Sequence, residues 1–138
     1  MKEKNTTHLA GEFLVAGELA RRGYPVSITM GNAKSVDVNA ETGKGNIKTD
    51  AKAGRAKGNW PISKQSIQLD VYYIFVHLGT DNQIKNNDPP EYFIVTGNEI
   101  KSQNLVETWG TRTGIRYQAL GDFKGKWDKL PAPNETRP

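Results

Sequence analysis

The chain has no cysteine, which excludes disulfide bridges and thiolate-held zinc. That absence, together with the lack of a recognisable signal peptide, makes a cytoplasmic home the expectation. Long hydrophobic runs are missing too. The longest, Val71 to Leu78, has the length of a strand and is interrupted by tyrosines, so no membrane span is expected. No internal repeat is present. Histidine is scarce: His8 and His77 stand isolated and carry no assigned role. Excess charge is slight, +4 over 138 residues, which permits nucleic-acid binding without demanding it. What is there is an ordinary water-soluble composition in a length that fits one domain. That domain is expected over 1–130, with a disordered tail over 131–138.

The most informative stretch runs from Ser35 to Lys52. Val36, Val38 and Ala40 alternate with polar residues, and so do Ile47, Thr49, Ala51 and Ala53. This period of two predicts a β-hairpin with one buried face. Asp37, Asn39 and Glu41 then share a face of the first strand, and Lys48, Asp50 and Lys52 share a face of the second. With Gly43 and Lys44 at the centre of a type II′ turn, Thr42 pairs with Gly45. Asp37 then lies directly opposite Asp50, with Cβ atoms ~4.5–5.5 Å apart. A slip of one residue, or a bulge at Gly45, would separate the two acids.

Two carboxylates facing each other across a ladder repel, so a compensating charge is expected. Lys48 and Lys52 would supply it on an exposed, mixed-charge sheet face. The alternative is a divalent cation, for which hard oxygen ligands suit Mg²⁺ or Mn²⁺.

Residues from about Thr7 to Arg22 read as an amphipathic helix. Thr6 or Thr7 caps its start, Arg21 and Arg22 complement the dipole at its end, and Gly23 stops it. Leu9, Phe13, Ala16 and Ala20 form the expected buried stripe. At about 100° per residue, Glu12 falls on the flank of that stripe. Either it reaches past the stripe to water or a lysine, or it projects toward the Asp37/Asp50 face as a third carboxylate. Glu18 reads as solvated surface.

These residues match a pattern. Gly11-Glu12-Phe13 on a first helix, Ser35-Val36-Asp37-Val38 on a second strand and Asp50-Ala51-Lys52 on a third resemble the PD-(D/E)xK nuclease superfamily, also called restriction-endonuclease-like. Asn59-Trp60-Pro61 and the strands Asp70 to Val76 and Glu91 to Val95 are similar to its small bacterial members. The likeness covers about residues 7 to 100, and Val36 stands where the superfamily's name has proline. Gln68 and Tyr72 also show a Q-x-x-x-Y spacing found in some relatives, but Tyr72 falls within a strand pattern and the match is read as chance.

The resemblance implies an α/β fold with a central mixed sheet of about five strands flanked by helices, and a metal-dependent phosphodiesterase. Asp37 and Asp50 would bind Mg²⁺ or Mn²⁺, with Glu12 an accessory ligand or the holder of a water on the ion. Lys52 would orient the attacking water and steady the charge that develops on the phosphate.

Positive charge clusters beside this strand. Lys44, Lys48, Lys52, Arg55, Lys57 and Lys64 are opposed only by Asp50 over 44–64. Gly54 to Gly58 reads as a basic loop placed to hold phosphates, so Lys48, Arg55, Lys57 and Lys64 are the expected nucleic-acid contacts. The expected function is a Mg²⁺-dependent nuclease acting on DNA, with a homodimer or larger protein partner to cut both strands. The alternatives are a catalytically inactive nucleic-acid-binding module on the same fold and an interaction or scaffold protein.

Elsewhere the patterns predict a strand over Pro25 to Met30, a central strand over Val71 to Leu78 and another over Glu91 to Thr96. A polar loop is expected from Gly79 to Pro90. Helices are expected over Asn98 to Trp109 and Asp122 to Leu130, with a strand-like Ile115 to Leu120 between them. Trp60, Trp109 and Trp127 read as packing residues.

Overall fold

A computed structural model describes residues 2–30, 36–56 and 58–133, with the side chains of 2–5, 30, 36 and 37 left aside. The chain opens with α1 (Lys2–Arg21), which starts earlier than Thr7 and stops at Gly23, whose φ of +97° suits glycine. Glu18, expected as solvated surface, has a side chain only 15% exposed and accepts hydrogen bonds from Arg21 and Arg22, both at 2.7 Å.

The buried face of α1 is not the expected one. Val15, Ala16 and Leu19 are buried together with Gly11 and Glu12, whereas Phe13 is 49% exposed and Ala20 is exposed. Apolar residues surround this helix on several sides, so their spacing leaves its rotation open. A close approach settles it: a Cβ on Gly11 would stand 2.5 Å from the Cβ of Ala53. The helix therefore lies down on the sheet along its Gly11 side, which carries Glu12 from the expected flank into the interface.

The strands are β1 (Val26–Met30), β2 (Val36–Thr42), β3 (Gly45–Gly54), β4 (Asn59–Pro61), β5 (Val71–His77), β6 (Glu91–Thr96), β7 (Glu107–Trp109) and β8 (Arg112–Arg116). Five of them form a mixed central sheet in the order β1-β2-β3-β5-β6, in which only the β3–β5 pair is parallel. The fold is α/β, with helices flanking that sheet. β5 lies inside it, and Tyr73 to His77 are all buried, as an apolar run covered on both faces should be.

Each face has its own core. On one, Val15, Ala16 and Leu19 of α1 pack on Val38, Ala40, Ala51, Ile74 and Ile94. The other face is covered by a second, three-stranded sheet, β4-β8-β7. Trp60 and Ile115 from that sheet meet Tyr73, Phe75, Phe93 and Val95. The sequence pattern carried no expectation of this second layer.

The β2–β3 hairpin has the expected register, Thr42 opposite Gly45 and Val38 opposite Thr49. Its turn differs: the positive φ belongs to Gly45, at +106°, rather than to Gly43. A type II′ turn is therefore replaced by one that strains only a glycine at its exit.

The expected helix over Asn98 to Trp109 is shorter and followed by a strand. Thr96 and Glu99 form a capping box that starts α3 (Gly97–Ser102), and Asn104 ends the segment with a φ of +53°. β7 then pairs with β8 across a turn at Gly110. The polar loop holds a short α2 (Asp81–Lys85) with its own capping box, Thr80 with Gln83. In place of a helix over Asp122 to Leu130 there are two 3-10 turns, Tyr117–Phe123 and Trp127–Lys129, which bury Phe123 and Trp127 as expected. Residues 131–133 are docked rather than loose. Tyr24 donates to the Pro131 carbonyl at 2.7 Å, and the Gly43 amide donates to the Ala132 carbonyl at 2.8 Å; residues 134–138 lie outside the described residues. Among the described residues no helix is long and apolar enough to cross a membrane.

Candidate active site

Strand alternation along β3 sets the site. Thr49 and Ala51 turn toward α1, and the Thr49 hydroxyl donates to the Val38 carbonyl at 2.8 Å. Lys48, Asp50 and Lys52 take the other positions. Asp50 and Lys52 share a face, with Nζ 3.6 Å from Oδ1 and side chains 42% and 30% exposed, so both are reachable from solvent. On the β5 side Asp50 stands beside Tyr73, and Lys52 beside Phe75.

Asp37 is part of β2 and pairs with Thr29 of β1. The pairing of β2 with β3 ends at Val38 and Thr49, one position short of the expected opposition of Asp37 and Asp50. The Asp37 side chain lies outside the described residues.

Glu12 reaches the same place from α1. Its side chain is only 6% exposed, and its Oε2 is 3.4 Å from Nε2 of His8, one helical turn earlier. Glu12, His8, Asp50, Lys52, Lys48 and Gln68 all line one cleft of about 340 Å³, which Asn39 of β2 also borders. The helix and β3 thus bring acids and amines to the cleft's border, and the β4–β5 connection brings the Gln68 amide. Two of these groups carried no expected role. His8 was legible in principle, because an acid four residues after a histidine shares its helix face. Gln68 borders the cleft although its spacing to Tyr72 reads as chance, and Tyr72 sits in β5, as its pattern indicates.

The wall bearing Gln68 is held by Tyr73. Its phenol oxygen accepts from the Gln68 amide at 2.9 Å and lies 3.5 Å from the Ser66 carbonyl. Burial pushes the Tyr73 phenol up from its ordinary value, the Gln68 hydrogen bond opposes this, and the neighbouring Asp50 charge adds to it. Tyr73 is thus a neutral post between the core and the cleft.

His8 and Lys52 also line an adjoining groove of about 460 Å³, which continues past Arg55 to Trp60 and Pro61. Of the expected nucleic-acid contacts, Lys48 borders the first cleft and Arg55 the groove. Arg55 is ion-paired with Asp81 of α2, which ties the basic loop to the 79–90 segment. Lys57 lies outside the described residues. Lys64 stands at a different hollow, with Ile67 and Ile100. Trp60 is a packing residue, 4% exposed, with its ring centroid 5.4 Å from Phe75 and 5.8 Å from Phe93.

Among the described residues no group of three or more histidines and acids stands close enough to hold a metal ion. Comparison with protein-family models, with curated proteins and with solved structures gives no match.

Proposed function

We propose that this chain is a divalent-metal-dependent nuclease that hydrolyses phosphodiester bonds in DNA, on a restriction-endonuclease-like core. One observation carries the reading: Glu12 of α1 and Asp50 and Lys52 of β3 border a single solvent-accessible cleft. The donor set suits Mg²⁺ or Mn²⁺. Carboxylates are the hard ligands these ions prefer, and Mg²⁺ commonly takes only one or two of them and fills the rest with water and phosphate. Asp50 and Glu12 would hold the ion, with Asp37 as the third acid that the resemblance implies. A divalent ion there supplies Lewis acidity toward the phosphoryl oxygens and lowers the pKa of a water.

The chain's own groups do the rest. Lys52 places a fixed positive charge where negative charge grows on the phosphate, close to the Asp50 carboxylate. Gly11 brings α1 against β3 and so sets the reach of Glu12. Lys48 and Arg55 extend positive charge along the cleft and groove for the flanking phosphates. A domain this small offers one such cleft, so concerted cutting of both strands calls for a second copy or a larger partner.

The second reading is a nucleic-acid-binding module without chemistry. The absence of a three-ligand group among the described residues favours it. Plasmid DNA and circular single-stranded DNA, each incubated with the protein and Mg²⁺, separate the two. The nuclease reading expects nicking that EDTA stops, that Asp50→Ala abolishes, and that Lys52→Met slows by about 10²–10³. Salt-dependent DNA binding with no cleavage in Mg²⁺ or Mn²⁺ would establish the module instead.

A further inference from the structure

Behind the wall that bears Gln68 lies a second hollow, of about 370 Å³, within the ~300–1,000 Å³ typical of ligand pockets. Its floor is apolar: Ile67, Ile100 and Val106 are 5%, 1% and 5% exposed. Its rim is cationic, with exposed Lys64 on one side and exposed Lys101 of α3 on the other. Among the described residues neither lysine enters an ion pair. Two unspent cations over an apolar floor suit a flat, weakly polar group that carries anions at its edge. The exposed amides of Gln65 and Asn104 complete the rim with hydrogen-bond donors and acceptors.

The hollow and the Asp50–Lys52 cleft share a wall. Gln65 borders the hollow and Gln68 borders the cleft, and three residues of chain span at most ~11 Å. That wall is rigid. Tyr73 holds Ser66 and Gln68 from below. The start of α3 presses on it so closely that a Cβ on Gly97 would fall 1.9 Å from the Gln68 carbonyl oxygen.

We propose that this hollow receives an unpaired base of a strand whose backbone lies in the cleft, so that the substrate is single-stranded nucleic acid. The inference rests on the nuclease reading for the identity of the cleft. Lys64 and Lys101 hold the phosphates on either side of the inserted base. The apolar floor takes the face of the base, and the amides meet its edge without demanding one sequence. A base inside an intact duplex must first unpair and unstack to enter, which disfavours duplex against single strands.

Binding measured in EDTA, where cleavage cannot intrude, tests this with fluorescein-labelled oligothymidylate. The comparison ligands are the same backbone made abasic and the oligothymidylate annealed to oligodeoxyadenylate. The single strand should bind at least about fivefold tighter than its abasic counterpart, and tighter than the duplex. Val106→Trp, which intrudes on the hollow, should abolish the preference for bases over abasic strand. Lys64→Ala with Lys101→Ala, both at the exposed rim and harmless to folding, should lower the slope of log affinity against log salt by ~1.4. Equal affinity for base-bearing and abasic strands, duplex binding as tight as single-strand binding, or an unchanged salt slope overturns the inference. A base preference that persists without any Mg²⁺-dependent cleavage upholds the hollow and removes the nuclease reading alone.

Discussion

Two glycines on the same helix should respond to alanine with opposite signs. Gly17 is mid-helix and exposed, and an added Cβ would meet nothing within 4 Å. Gly17→Ala should therefore stabilise the fold by about 1 kcal/mol, the ordinary helix-propensity gain. Gly11→Ala has the same propensity gain but places a methyl 2.5 Å from the Ala53 Cβ. Carbon atoms rest at ~3.5–4.0 Å, so α1 must lift from β3 by roughly 1–1.5 Å. Overpacking of this kind costs ~1–3 kcal/mol, which leaves Gly11→Ala neutral to about 2 kcal/mol destabilising. Ala53→Gly in the same chain removes the opposing methyl and should recover most of the loss, a coupling that a double-mutant cycle reads. Urea unfolding followed by tryptophan fluorescence measures the parent, the three single variants and the double variant. A Gly11→Ala chain as stabilised as Gly17→Ala would refute the close approach, and with it the placement of Glu12.

The Glu91 cluster predicts a defined pH window. Burial works to raise the Glu91 carboxyl, but the hydrogen bonds from Tyr117 and Lys124 outweigh it and hold it below the usual range. Tyr117, donating to Glu91 at 2.6 Å, is pushed up to about 12 by that bond first and by burial second. The Glu91 contribution is present at neutral pH and lost as pH falls through its lowered value. The Tyr117 contribution is complete below pH 10.0 and lost as pH rises through about 12. Tyr117→Phe should cost ~1–2 kcal/mol at neutral pH and flatten the alkaline limb of the stability curve; an unchanged alkaline limb would dismiss the pairing. Trp60→Ala, which empties the space between β5, β6 and the second sheet, should cost ~3–5 kcal/mol in urea unfolding. A loss below 1 kcal/mol would mean that the small sheet does not cover this face.

How much of this was legible depended on what each element offers to pattern reading. Glu91–Thr96 coincides with its expected strand, and the hairpin register follows from alternation across a short glycine-bearing turn. The phase of α1 was illegible because leucine and alanine surround it and a helix-to-strand contact, Gly11 on Ala53 of β3, sets the rotation. The small sheet was hidden because two of its strands have three residues, too few to show a period. The shared face of Asp50 and Lys52 follows from strand alternation, whereas Glu12, His8 and Gln68 border the cleft through tertiary placement. Lys64 was grouped with the cleft by proximity in sequence, and the turn at Lys64–Ser66 sends it to the next hollow.

The central claim is that acids from α1 and β3 form a single seat for a hard divalent cation. Titration of the metal-free protein with Mn²⁺, followed by electron paramagnetic resonance of the free ion, tests it without reference to any substrate. The account predicts saturable uptake in the parent chain that Asp50→Asn removes and Glu12→Gln weakens, with Lys48→Met leaving it intact. Uptake that is absent, or identical in the parent and Asp50→Asn proteins, would contradict it.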